Sequence, residues 1–130
     1  MNFAKWVFRI AGSLGILQLA PLYFYEAQIG RDMPPAITHP EYYYGMIAAA
    51  LAWQFVFLLI ASDPLRYRPI MLLAAILEKF SYAIVTIVLF GLGRLPALIL
   101  AFGLLDLVYG VFFVAAYVKT GSRLGREVTA

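Results

Sequence analysis

Residues 95–118 read LPALILAFGLLDLVYGVFFVAAYV, and Asp106 is the one charged residue in this stretch. A helix that crosses a hydrocarbon layer about 30 Å thick needs about 20 predominantly apolar residues. Apolar stretches of similar length lie at about 3–25, 42–62 and 70–92. Because lipid offers no water to the backbone, each stretch should be α-helical. The sequence therefore predicts an all-α protein, an integral membrane bundle of four transmembrane helices.

The composition agrees with this prediction. The chain has 130 residues, of which 64% are hydrophobic and 13% charged, whereas soluble domains carry about 25% charged residues. We therefore expect residues 1–130 to form a single membrane domain, with an outer loop at about 26–41 and a frayed tail at 119–130. The chain contains no cysteine, which excludes thiolate metal sites and iron–sulfur clusters.

The distribution of cations predicts the orientation. Arg31 and Arg94 fall at the end of the bundle that holds the first and third connections. The other cations near helix ends fall at the opposite end, in the amino-terminal segment, the second connection and the tail: Lys5, Arg9, Arg66, Arg68, Lys119, Arg123 and Arg126. Cytoplasmic segments carry the excess of Lys and Arg. We therefore expect both termini in the cytoplasm.

Polar side chains inside the spans are the candidates for chemistry. Arg9, Gln54, the pair Glu78 and Lys79, and Asp106 fall at similar depths on the four helices, given a rise of about 1.5 Å per residue. One charge near the bilayer centre costs about 2.5–3.5 kcal/mol, so we expect Lys79 to pair with Asp106 and Arg9 with Glu78. Since successive helical residues point about 100° apart, only Glu78 of the adjacent pair is expected to face the bundle axis.

Two interpretations of this polar layer remain open. In the first, Arg9 and Lys79 form structural ion pairs that fix how the helices dock. In the second, intramembrane acids line a polar pocket or a proton path, and Glu78 and Asp106 are then also the candidates for acid–base catalysis. The expected ligand-binding residues are Trp53, Gln54, Glu78, Tyr82, Asp106 and Tyr109.

Metals, cofactors and nucleic acids are not expected. His39 is the single histidine, and it lies in the predicted outer loop, so no span offers a histidine ligand to haem. His39 with Asp32 and Glu41 makes a weak zinc site. The sequence also lacks nucleophile triads, phosphate-binding glycine loops and nucleic-acid motifs.

Residues 63–72, DPLRYRPIML, followed by Leu77-Glu78-Lys79, resemble a pattern in small bacterial inner-membrane proteins that are loosely similar to the DoxX-like four-helix group. This resemblance covers the second half of the chain. It implies a multi-pass protein of the bacterial cytoplasmic membrane, an accessory subunit near redox or lipid chemistry, and no catalytic residues to carry over.

The functional expectation is a small membrane protein that binds a lipid-like or apolar ligand or acts as an accessory subunit. The alternatives are a membrane-embedded enzyme with isomerase-like acid–base chemistry on an apolar substrate, and a small proton-coupled transporter. The expected partners are membrane lipids, an apolar small molecule, a second copy of the chain or a membrane partner protein.

Overall fold

A computed structural model describes residues 2–130. The helices are α1 (Asn2–Leu19), which a 3-10 turn extends over Ala20–Phe24, α2 (Glu26–Asp32), α3 (Pro40–Ser62), α4 (Arg68–Gly91) and α5 (Ala97–Thr129). Four helices, α1 with its 3-10 turn, α3, α4 and α5, are long and apolar enough to cross a membrane. The prediction of an all-α protein with four long apolar helices is confirmed.

Prolines mark the beginnings of the three long helices after α1. Pro40 and Pro69 lie in the first turns of α3 and α4, and Pro96 is the N-cap of α5. A proline at these positions costs no intrahelical hydrogen bond, because the first backbone N–H groups have no helical partner. Gly93 has a φ of 70° in the turn between α4 and α5, a conformation that glycine adopts without steric cost.

Two segments outside the predicted spans, the outer loop and the tail, are more helical than predicted. The outer loop at 26–41 contains α2. The hydroxyl of Tyr44 on α3 donates a hydrogen bond to Glu26 Oε2 on α2 at 2.8 Å, and this bond joins the two helices. The tail at 119–130, expected to fray, continues α5 as far as Thr129. Helix α5 therefore projects well beyond the stretch that is apolar enough to span a bilayer.

The hydrophobic core lies at one end of the bundle. We call this end the termini half: it contains the beginnings of α1 and α4 and the ends of α3 and α5. Phe8, Phe57 and Phe113 are fully buried there, with ring centroids 4.3 Å apart for Phe8 and Phe113 and 4.9 Å apart for Phe57 and Phe113. These aromatic contacts join α1, α3 and α5.

The opposite end, which we call the loop half, is packed mainly as two helix pairs, α1 with α3 and α4 with α5. In this half α4 buries Ala83 and Thr86, and Thr86 fills the space that Gly103 of α5 leaves free. Most of the other apolar side chains of α4 face outward there; Ile84 and Val88, for example, are 59% and 54% exposed. The loop half therefore contains interfaces between paired helices and little shared core.

Candidate functional site

Three charged side chains meet between α4 and α5, near the middle of both apolar stretches. Lys79 Nζ lies 3.0 Å from Glu78 Oε2 and 3.1 Å from Asp106 Oδ1. The side chains of Lys79, Glu78 and Asp106 are 7%, 13% and 18% exposed. We call these three residues the charged cluster. Its formal charge is −1 when all three groups are ionised, because two carboxylates share one ammonium group.

The local backbone explains how two adjacent residues both reach this cluster. Residues Ala74–Phe80 of α4 form a π-helical segment. A π-helix bonds residue i to residue i+5 and so has more residues per turn than an α-helix, which reduces the angle between successive side chains. The expectation that only Glu78 of the pair faces the bundle interior is therefore wrong, since Lys79 is the more deeply buried of the two.

Aromatic rings surround the ammonium group of Lys79. Its Nζ lies 5.4 Å from the ring centroid of Phe57 and 5.4 Å from that of Tyr109. A desolvated cation–π contact contributes about 2 kcal/mol. Phe57 was not among the predicted site residues, although it lies one turn after Gln54 and so shares a face of α3 with it. Lys79 is therefore held by two carboxylates and two rings.

One carboxylate oxygen lacks a hydrogen bond. Lys79 Nζ donates to Glu78 Oε1 at 3.3 Å and to Asp106 Oδ1 at 3.1 Å. Glu78 Oε2 is buried, and although the ammonium nitrogen lies 3.0 Å away, the geometry is not that of a hydrogen bond. Glu78 Oε2 is therefore a buried oxygen that has an ion-pair contact with Lys79 and, among residues 2–130, no hydrogen bond.

The predicted pair between Arg9 and Glu78 does not form. Arg9 is exposed, and its guanidinium carbon lies 5.2 Å from the ring centroid of Trp6 on the same helix. Helix α1 instead buries Ala4, Phe8 and Ala11, and Arg9 follows Phe8 and so points about 100° away from this face. The predicted pair between Lys79 and Asp106 is present.

The remaining predicted ligand residues divide between two places. Tyr82 and Tyr109 lie one turn from Glu78 and Asp106 respectively, but no hydrogen bond joins either hydroxyl to Asp106 in the described part of the chain. Gln54 belongs to the interface of α3 with α1: it is 2% exposed, donates to the Ala50 carbonyl at 3.0 Å, and packs its side chain against Gly15. Trp53 contacts Phe57, with ring centroids 6.3 Å apart.

Neither of the two grooves described on the surface includes the charged cluster. One lies between the start of α1 and the end of α5, and the other lies around α2.

Within residues 2–130, no group of three or more His, Cys, Asp or Glu side chains is arranged to hold a metal ion. The cluster itself supplies two carboxylates and one ammonium group, which can form ion pairs and hydrogen bonds and transfer protons.

Comparison with protein-family models, with curated proteins and with solved structures finds no match to this chain. The resemblance to DoxX-like proteins therefore stays a prediction.

Proposed function

We propose that this chain is a multi-pass membrane protein that binds a lipid-like molecule at the charged cluster, through a head that is cationic or donates hydrogen bonds. The observation that carries the proposal is the imbalance of the cluster, in which Glu78 and Asp106 share the single ammonium group of Lys79. Glu78 Oε2 has an ion-pair contact with that group at 3.0 Å and no hydrogen bond. The single ammonium group compensates only part of the charge of the two carboxylates, and a hydrogen bond to a charged group contributes about 1.5–3 kcal/mol. A hydroxyl or amine of a ligand would supply such a bond to Glu78 Oε2.

The surroundings of the cluster favour an apolar body on that ligand. Tyr82 lies one turn from Glu78 on α4, Phe102 lies one turn from Asp106 on α5, and both lie toward the loop half. Their side chains are 42% and 37% exposed. Tyr82 and Phe102 are therefore both partly exposed on the loop-half side of the cluster. A ligand arriving from the lipid phase would place its head at Glu78 and its apolar body toward the loop half.

We propose the bacterial cytoplasmic membrane as the location, with both termini in the cytoplasm. The loop half carries two cations, Arg31 and Arg94. The termini half carries seven: Lys5, Arg9, Arg66, Arg68, Lys119, Arg123 and Arg126. This asymmetry supports the orientation through the positive-inside bias. The bacterial assignment depends on the resemblance to DoxX-like proteins alone.

The test of ligand binding is mass spectrometry of lipids that co-purify with the protein in mild detergent. We expect Glu78→Gln and Asp106→Asn to stay folded and to lose a lipid that the wild-type protein retains, by about 10-fold or more, since a hydrogen bond to a charged group contributes about 1.5–3 kcal/mol. Glu41→Gln is the matched control, because the Glu41 side chain is 63% exposed in the first turn of α3 and is remote from the cluster along the chain.

Two results would contradict the proposal. One is a wild-type protein that retains no lipid beyond the amount retained by both cluster variants. The other is loss of folded protein in both variants with no change in lipid content per folded molecule, which would leave the cluster with a structural role. Thermal unfolding of each variant in the same detergent separates these results.

A further inference from the structure

A second feature of the structure lies at the end of the bundle that holds both termini. A groove of about 390 Å³ runs between the first turn of α1 and the last turns of α5. It is lined by Asn2, Phe3, Ala4, Lys119, Thr120, Ser122, Arg123 and Arg126. We call it the terminal groove. None of its residues belongs to the charged cluster.

The walls of the terminal groove are cationic. Lys119, Arg123 and Arg126 are spaced four and three residues apart on α5 and therefore share one face of the helix. All three are exposed, and within residues 2–130 none of them has a carboxylate oxygen within 4.0 Å. These three neighbouring cations repel one another, and although Glu127 follows Arg126 on α5, their summed field attracts an anion that contacts all three.

The floor of the terminal groove is apolar and continues along the bundle. Lys119 Nζ lies 4.1 Å from the ring centroid of Phe3, and Phe3 contacts Phe112 with ring centroids 6.3 Å apart. Val108 precedes Phe112 by one helical turn and shares its face. Phe112 and Val108 are 45% and 50% exposed. An apolar strip therefore leads from the cationic groove along α5 toward the middle of the apolar stretch.

We infer that the terminal groove binds the phosphodiester headgroup of an anionic phospholipid, with one acyl chain lying on the strip formed by Phe3, Phe112 and Val108. A soluble phosphate would satisfy the same three cations, but it would leave the apolar strip unused. The site requires that the chain is inserted in a membrane. It does not depend on the orientation of the bundle or on a ligand at Glu78.

The experiment is native mass spectrometry of the full chain after equilibration with an equimolar mixture of phosphatidylglycerol and phosphatidylcholine in mild detergent. We expect the wild-type protein to retain phosphatidylglycerol in preference. The double variant Arg123→Gln, Arg126→Gln should lower this preference at least about 5-fold, since each basic residue near an anionic membrane surface contributes about 1 kcal/mol. The double variant Arg31→Gln, Arg94→Gln removes the same charge from the opposite end and should retain the preference.

Each alternative outcome has a clear meaning. Equal retention of the two lipids by the wild-type protein would overturn the assignment, and this measurement needs no substitution. An equal loss of preference in both double variants would show that the total charge of the protein attracts the lipid, which also refutes a defined groove. A parallel sample is equilibrated with glycerol phosphate. If the protein binds it and shows no preference between the two lipids, the occupant is a soluble phosphate and the lipid is excluded. Thermal unfolding in detergent checks that both double variants are folded.

Discussion

Replacing Lys79 by methionine tests the energetic role of the charged cluster most directly. Methionine keeps an apolar stem like that of lysine and removes the ammonium group, which lies 3.0 Å from Glu78 Oε2 and 3.1 Å from Asp106 Oδ1. Removing one partner of a buried ion pair costs about 3–5 kcal/mol, because it leaves an uncompensated charge. Here the substitution leaves two carboxylates without a cation, so we expect a loss of stability toward the upper end of that range.

The companion variants separate ion pairing from the shape of the side chains. Glu78→Gln and Asp106→Asn each leave one carboxylate paired with Lys79, and we expect each to cost about 1–3 kcal/mol. The triple variant that combines both changes with Lys79→Met carries no charge at the cluster, and we expect it to recover most of the stability lost in Lys79→Met alone, as replaced buried ion pairs commonly do.

The assay is equilibrium unfolding in mixed detergent micelles, followed by far-ultraviolet circular dichroism. Lys5→Met is the matched control, because Lys5 has no carboxylate oxygen within 4.0 Å in the described residues. If Lys79→Met and Lys5→Met lower the free energy of unfolding equally, the cluster does not stabilise the bundle. If the triple variant is as unstable as Lys79→Met, the loss comes from packing and the electrostatic reasoning is refuted.

Two further predictions concern helix packing and topology. Gly12→Ala should destabilise the protein by about 1–3 kcal/mol, because a Cβ there would lie 2.8 Å from the backbone oxygen of Gln54, whereas Gly45→Ala, with nothing within 4 Å, should be neutral or stabilising in the same unfolding assay. In the cysteine-free chain, a thiol introduced as Glu127→Cys should react with a membrane-impermeant reagent only after the cells are opened, and one introduced as Gln28→Cys should react in intact cells. Labelling of both positions from the same side would refute the proposed topology.

The helices could be predicted from the sequence because their length and apolar character depend on the one-dimensional order of residues. Proline and charge at the boundaries place the beginnings of α3, α4 and α5 within about two residues, which is the usual uncertainty in a helix end. The helical tail was missed, because the glycines and charges after Lys119 resemble those of a solvated terminus that frays.

The candidate site was only partly predictable. The depth of each residue along its helix correctly predicts that Lys79 pairs with Asp106. Depth does not specify the direction in which a side chain points around its helix. Arg9 lies at a depth that suits a pair with Glu78, but its side chain points away from the bundle. The spacing of Ala4, Phe8 and Ala11, which form the buried face of α1, would have indicated that Arg9 lies off this face. The π-helical segment was not predictable from a regular period, because it is a local departure from that period.

The confinement of the shared aromatic core to the termini half has a consequence for how the sequence can vary. Side chains such as Phe57 and Phe113 have fixed neighbours, so replacements there must match both volume and shape. In the loop half, Ile84 and Val88 would face fluid acyl chains in the proposed membrane, which accept any apolar side chain. A library of apolar substitutions, selected for folded protein, should therefore yield few survivors at the first pair of positions and many at the second.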